Sequence, residues 1–98
     1  MIRVVYRWRV PKANCVAFGA AWEKATTQIR ETTLGARGSL LFESCDDPTE
    51  FMTVAHWDHL DQWREFIETA AQVSMKDMHA LAELRSREAF RQIGDHTV

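Results

Sequence analysis

The sequence lacks every short signature that would name a reaction outright. Its 98 residues hold no glycine-rich phosphate loop, no cysteine pair at metal-ligand spacing and no nucleophile motif. The two cysteines, Cys15 and Cys45, are far apart and form no CxxC pair, so free thiols are expected. No run of about 20 apolar residues occurs. The opening MIRVVYRWRV breaks its apolar residues with three arginines, unlike the core of a signal peptide. A cytoplasmic protein with no membrane partner is therefore expected. Twelve basic residues against fourteen acidic ones give a formal charge of -2, which supplies no general pull toward phosphate backbones. Nucleic acid is not an expected partner. Repeats, linkers and low-complexity segments are missing too, so residues 1–98 are expected to form one domain.

Apolar and aromatic residues are abundant. Hydrophobic residues make up 46% of the chain, with four tryptophans and five phenylalanines. A small monomer has little room to bury them all, so part of the aromatic surface is expected to meet a second subunit or a ligand. Strict alternation over residues 2–10 predicts a strand with Ile2, Val4, Tyr6, Trp8 and Val10 on one face and Arg3, Val5, Arg7 and Arg9 on the other. Pro11 ends it. Asn14 is placed to cap a helix whose apolar stripe is Cys15, Phe18, Trp22, Ala25 and Ile29, fading near Thr33. Gly35 to Gly38 gives a stop and a turn before the strand SLLFES.

Residues 45–49 read as a hairpin turn, and a third strand is predicted over 50–57. Asp58 is placed to cap a second helix, on which Leu60, Trp63 and Ile67 recur at helical spacing. Ser74 followed by Asp77 resembles a capping box for a third helical turn, with Met75, Met78, His79 and Ala82 on one face. A last strand is predicted over 86–93. The order strand, helix, strand, strand, helix, strand is that of an α+β, ferredoxin-like split βαβ with an antiparallel four-stranded sheet. Helices would then cover one sheet face, and pairing of the other with a second copy would make a symmetric homodimer.

The candidate site grows from the strand-to-helix stretch FMTVAHWDHLDQWREF. Alternation puts Phe51, Thr53, Ala55 and Trp57 on one face of the strand, and the following helix can wall the same apolar space. Trp57 and Trp63 fit two duties that are not exclusive: core residues joining sheet to helix, or a flat wall for a planar substrate. Tyr6 is either a core tyrosine or a pocket hydrogen-bond donor. His79 is either a buried, satisfied histidine or a proton acceptor working near neutral pH. His56 and His59 with Asp58 and Asp61 do not make a metal site, because His56 alternates to the opposite face and capping accounts for the acids.

Several segments together resemble the antibiotic biosynthesis monooxygenase domain of the dimeric α+β barrel superfamily. They are the strand IRVVYRWRV, the turn LGARGS, the hairpin CDDPTEF, the junction AHWDHLDQW and the strand EAFRQIGD. The resemblance implies two sheets pairing as a dimeric barrel. It also implies one of several activities: cofactor-free oxygenation of phenols and anthrones, quinol oxygenation or haem degradation. In the polyketide oxygenases an asparagine lies four residues before the junction tryptophan and a tyrosine six after it. Here Thr53, Trp57 and Trp63 occupy that spacing, so the tryptophan is kept while both polar partners differ. His79 falls about where that branch has an arginine, and near the proximal histidine of the haem-degrading branch. The haem branch's first-strand asparagine would fall at Tyr6 and its helix tryptophan near Phe66.

The function expected on this basis is a cofactor-independent monooxygenase of an electron-rich phenol, hydroquinone or anthrone. His79 and Tyr6 are the expected catalytic residues, and Thr53, Trp57, Trp63, Phe66 and Met78 the expected substrate-binding ones. Dioxygen and a small aromatic or polycyclic substrate are the expected partners, and no metal or cofactor is expected. The alternatives are haem degradation and a non-catalytic dimer that binds a hydrophobic metabolite.

Overall fold

A computed structural model describes residues 1–98. Strand β1 (Ile2–Arg9) is followed by a single 3-10 turn at Lys12–Asn14 and helix α1 (Cys15–Thr32). Strands β2 (Ala36–Glu43) and β3 (Glu50–Trp57) come next, then helices α2 (Leu60–Thr69), α3 (Ala71–Ser74) and α4 (Lys76–Leu81), and strand β4 (Glu83–Arg91). The sheet is four-stranded in the order β2-β3-β1-β4, with every neighbouring pair antiparallel. This is the ferredoxin-like α+β arrangement. None of the helices is long and apolar enough to cross a membrane.

Alternation decides which face is core. Ile2, Val4, Tyr6 and Trp8 pair in register with Trp57, Ala55, Thr53 and Phe51, and these two rows lie under the helices. Trp8, Val4, Val10 and Phe18 have no exposed surface. On the other face Arg3, Val5, Arg7 and Arg9 pair with His56, Val54, Met52 and Glu50. Strand β3 has the bounds expected of it. The hairpin before it is held as its composition implies: the Ser44 hydroxyl accepts from the amides of Asp46 and Asp47, and the Asp47 carboxylate from the amide and hydroxyl of Thr49.

The helix ends depart from expectation. Asn14 has helical backbone angles and does not cap α1. Its amide instead donates to the carbonyl of Leu81 at 3.0 Å, tying the start of α1 to the end of α4. Asp58 does not cap α2, because the Arg37 guanidinium takes it in a two-pronged ion pair at 2.8 to 3.1 Å. His59 is the cap residue, and the Gln62 side chain reaches back to accept its amide hydrogen at 3.1 Å. Gly35, at φ 87°, supplies a backbone conformation that other residues rarely adopt, and the end of the Gln62 side chain occupies the space beside it. Ser74 with Asp77 makes no capping box, and Met75 stands at the start of α4. Strand β4 begins three residues earlier than expected, at Glu83, with a register shift opposite Arg7 and Trp8.

Candidate active-site cavity

Between the sheet and α1 lies a narrow cleft, open to solvent on one side, with a cavity volume of about 50 Å³. Tyr6, Thr53 and Trp57 reach it from the inner rows of β1 and β3, and Phe66, Met75 and Met78 from the helices after β3. Trp22, Thr26, Ile29 and Arg30 line it from α1, and Ser39 from β2. Ten of its sixteen lining residues are hydrophobic, and none is an aspartate or glutamate. Arg30 is exposed, so its charge sits where the cavity meets solvent. Trp57 and Phe66 stand side by side, ring centroids 5.3 Å apart.

The tryptophans do more than pack. An indole N–H can only donate, so wherever it meets a hydroxyl the hydroxyl is the acceptor. Trp63 Nε1 donates to the Tyr6 hydroxyl at 3.1 Å, and Trp8 Nε1 to Thr53 Oγ1 at 3.1 Å, both bonds buried. Trp22 Nε1 donates to Ser39 Oγ at 2.6 Å, and Ser39 in turn shares a hydrogen bond with Thr26 at 3.3 Å. Tyr6 and Thr53 are direct cross-strand partners. Each has an oxygen lone pair occupied by an indole and a hydrogen with no acceptor in the chain.

Burial pushes the Tyr6 phenol above its ordinary 10.0, while the Trp63 hydrogen bond and the Arg87 charge pull the other way. The hydroxyl stays protonated at neutral pH and can donate. Arg87 pairs in register with Tyr6 from β4, and its guanidinium carbon lies 5.6 Å from the Trp63 ring centroid. Sequence reading missed Arg87, because the shift in β4 hides which of its residues face inward. It also missed Trp22, Thr26, Arg30 and Ser39, whose approach to the cavity depends on how α1 crosses the sheet.

Five of the expected site residues, Tyr6, Thr53, Trp57, Phe66 and Met78, share this cavity. Trp63 and His79 do not line it. Trp63 is buried behind Tyr6, where it directs that hydroxyl instead of forming a wall. His79 does not share the buried face of Met75 and Met78. It is exposed on the flank of α4, its ring 5.2 Å from that of Trp8. Partial burial, then the Arg87 charge, lower its pKa below the ordinary 6.5, which favours neutral imidazole. His56 borders the cavity from β3, and its pKa is lowered by burial and by Arg3, its cross-strand neighbour. No three histidine, cysteine, aspartate or glutamate side chains converge on a possible metal position.

Comparison with known proteins places this geometry. A family model described as antibiotic biosynthesis monooxygenase matches residues 1–93. The chain belongs to that family. Among solved structures it is similar to a mutant form of SnoaB, a cofactor-independent oxygenase from Streptomyces nogalater. The TM-score is 0.80 and the identity 16%, covering 97% of this chain and 95% of that one. A putative family member from Bordetella bronchiseptica gives a TM-score of 0.81 at 19% identity, covering 94% and 96% of the two chains. Another from Nitrosomonas europaea gives 0.73 at 25% identity, covering 96% and 100%. No protein of curated function matches the chain in sequence. Likeness at these identities carries the fold of this family member, and the chemistry rests on its own residues.

Proposed function

We propose that this family member is a cofactor-independent monooxygenase of an electron-rich phenol, hydroquinone or anthrone. The observation that carries the reading is the cavity itself: apolar walls, unspent hydroxyl hydrogens on Tyr6 and Thr53, and no carboxylate. Such a lining favours a flat aromatic whose oxygen is ionised over the same molecule in water. An ionised anthrone or hydroquinone is itself the reductant of dioxygen. For a methylene between two aryl groups the reaction balances as Ar2CH2 + O2 → Ar2C=O + H2O. One oxygen atom enters the substrate, the other leaves as water, and the substrate supplies all the electrons.

Trp57 and Phe66 supply the surface against which the ring system lies, and Met78 and Thr53 complete its edge. Tyr6 is the donor to the substrate oxygen. The base expected at His79 is not supported by its position outside the cavity. The substrate's proton passes instead to water at the open mouth. Haem degradation gains no support either, since the histidine that would have to reach iron is not in the cavity wall.

The protein works as a homodimer in this reading. On the helix-free sheet face Leu40, Phe42 and Phe90 are 49%, 43% and 51% exposed, flanking Val5, Met52 and Val54. A second copy is the self-complementary cover for such a face. The two free thiols support a cytoplasmic location.

Oxygen consumption in the presence of a panel of anthrones and hydroquinones tests the activity. Uptake above the spontaneous rate, with one oxygen atom from labelled dioxygen in the product, is expected. Tight binding of the panel with no uptake would leave a non-catalytic binder of hydrophobic metabolites.

A further inference from the structure

We propose that Tyr6 and Thr53 form a hydrogen-bond-donating recognition edge for substrate oxygens in their ionised or carbonyl form, and that Trp63 and Trp8 are positioning residues that set it. The proposal rests on the oxygenase reading of the cavity and names what that cavity selects.

A free hydroxyl is ambivalent, able to donate to an oxyanion or accept from a neutral phenol. Here the balance is tilted toward donating, because one of the acceptor positions on each oxygen is already taken. Trp63 Nε1 and Trp8 Nε1 each occupy a lone pair, at 3.1 Å in both cases, and leave Tyr6 and Thr53 with hydrogens to give. The two hydroxyls are cross-strand partners on the inner face, and both line the cavity. A threonine hydroxyl sits on Cβ, whereas a tyrosine hydroxyl stands at the far end of its ring. The donors therefore reach different heights above the sheet, which suits an aromatic carrying more than one oxygen along an edge.

The other groups around the cavity act in the same direction. Arg30 brings a positive charge from α1 and Arg87 one from β4 behind Tyr6. No carboxylate faces the cavity to oppose an anion. Burial in apolar surroundings raises the pKa of a bound phenol, and these donors and charges lower it. The donor edge is expected to decide the sign.

The test is an absorbance titration of 1-naphthol and 1,5-dihydroxynaphthalene bound to the full chain under argon, where no turnover occurs. The expected result is a bound naphthol pKa about one unit or more below its value in buffer. Tyr6→Phe and Thr53→Val should each move it back toward the free value, while Thr53→Ser retains the shift. Trp63→Phe should lose part of the shift with the Tyr6 hydroxyl still present, a result that a purely packing tryptophan would not give. Thermal melting of each variant identifies any that fail to fold, and Thr53→Ser against Thr53→Val keeps the comparison within one small side chain.

A bound pKa equal to or above the free one overturns the proposal. So does a shift indifferent to Tyr6→Phe and Thr53→Val, or an absence of naphthol binding at millimolar concentration. Oxygen uptake is read separately. A lowered pKa without uptake would sink the oxygenase reading and leave the donor edge standing. Uptake with an unshifted pKa would do the reverse.

Discussion

The indole N–H of Trp63 donates to the hydroxyl of Tyr6 at 3.1 Å, joining residues 57 positions apart in the sequence. The bond is buried, and Arg87 lies over the Trp63 ring from the sheet's edge strand. A double-mutant cycle with Trp63→Phe and Tyr6→Phe should give a coupling energy of about 1 kcal/mol, the usual net worth of a buried neutral hydrogen bond. Chemical denaturation of the four proteins measures it. Additive effects would mean that the two rings only pack.

Trp57 is 3% exposed yet lines the cavity, so its two duties can be separated. Trp57→Ala is expected to cost about 3–5 kcal/mol through the void it leaves between β3 and α2. Trp57→Phe should lose much less stability and still weaken naphthol binding. Denaturation midpoints with a naphthol titration check both.

His79 lies outside the cavity, so His79→Gln should leave turnover close to that of the parent protein. A base acting on the substrate would instead cost about 10²–10⁴-fold. Steady-state oxygen uptake with whichever anthrone or hydroquinone is accepted distinguishes the two.

His79 and His56 should nevertheless shape the dependence of stability on pH. Their pKa values in the fold lie below the ordinary 6.5, so near that pH the unfolded chain binds more protons than the folded one. Stability then rises with pH through the window just below 6.5 and falls as the solution becomes more acidic. His79→Gln and His56→Gln should each flatten that slope. Denaturation curves between about pH 5 and 7.5 measure it.

The helix-free sheet face predicts association. Sedimentation at micromolar concentration should show twice the 11.3 kDa chain mass, and Val54→Lys, in the middle of that face, should return it to the monomer. An interface of this kind is expected to bury more than about 1,000 Å² in total. A monomeric parent protein would remove the barrel arrangement from the proposed function.

Local periodicity in the sequence determined the strands and the main helices. Alternation over Ile2 to Trp8 and over Phe51 to Trp57 set both inner rows, because a strand's side chains must go to one face or the other. It thereby placed Tyr6, Thr53 and Trp57 on one surface before any fold was known. Helical spacing likewise selected Phe18 and Ala25 as the buried residues of α1. What periodicity could not reach was the choice of partner for a polar group. Asp58 is a good local cap, but Arg37 across the chain offers a charged fork and takes it. Asn14 left its helix start for the carbonyl of Leu81. His79 shares a nominal face with Met75 and Met78, but α4 is only six residues long, and its packing buries the methionines and leaves the imidazole on the flank. The donor role of Trp8 and Trp63 is of the same kind. An indole's single hydrogen goes to whichever acceptor the tertiary packing brings within reach, and no spacing in the sequence encodes that direction.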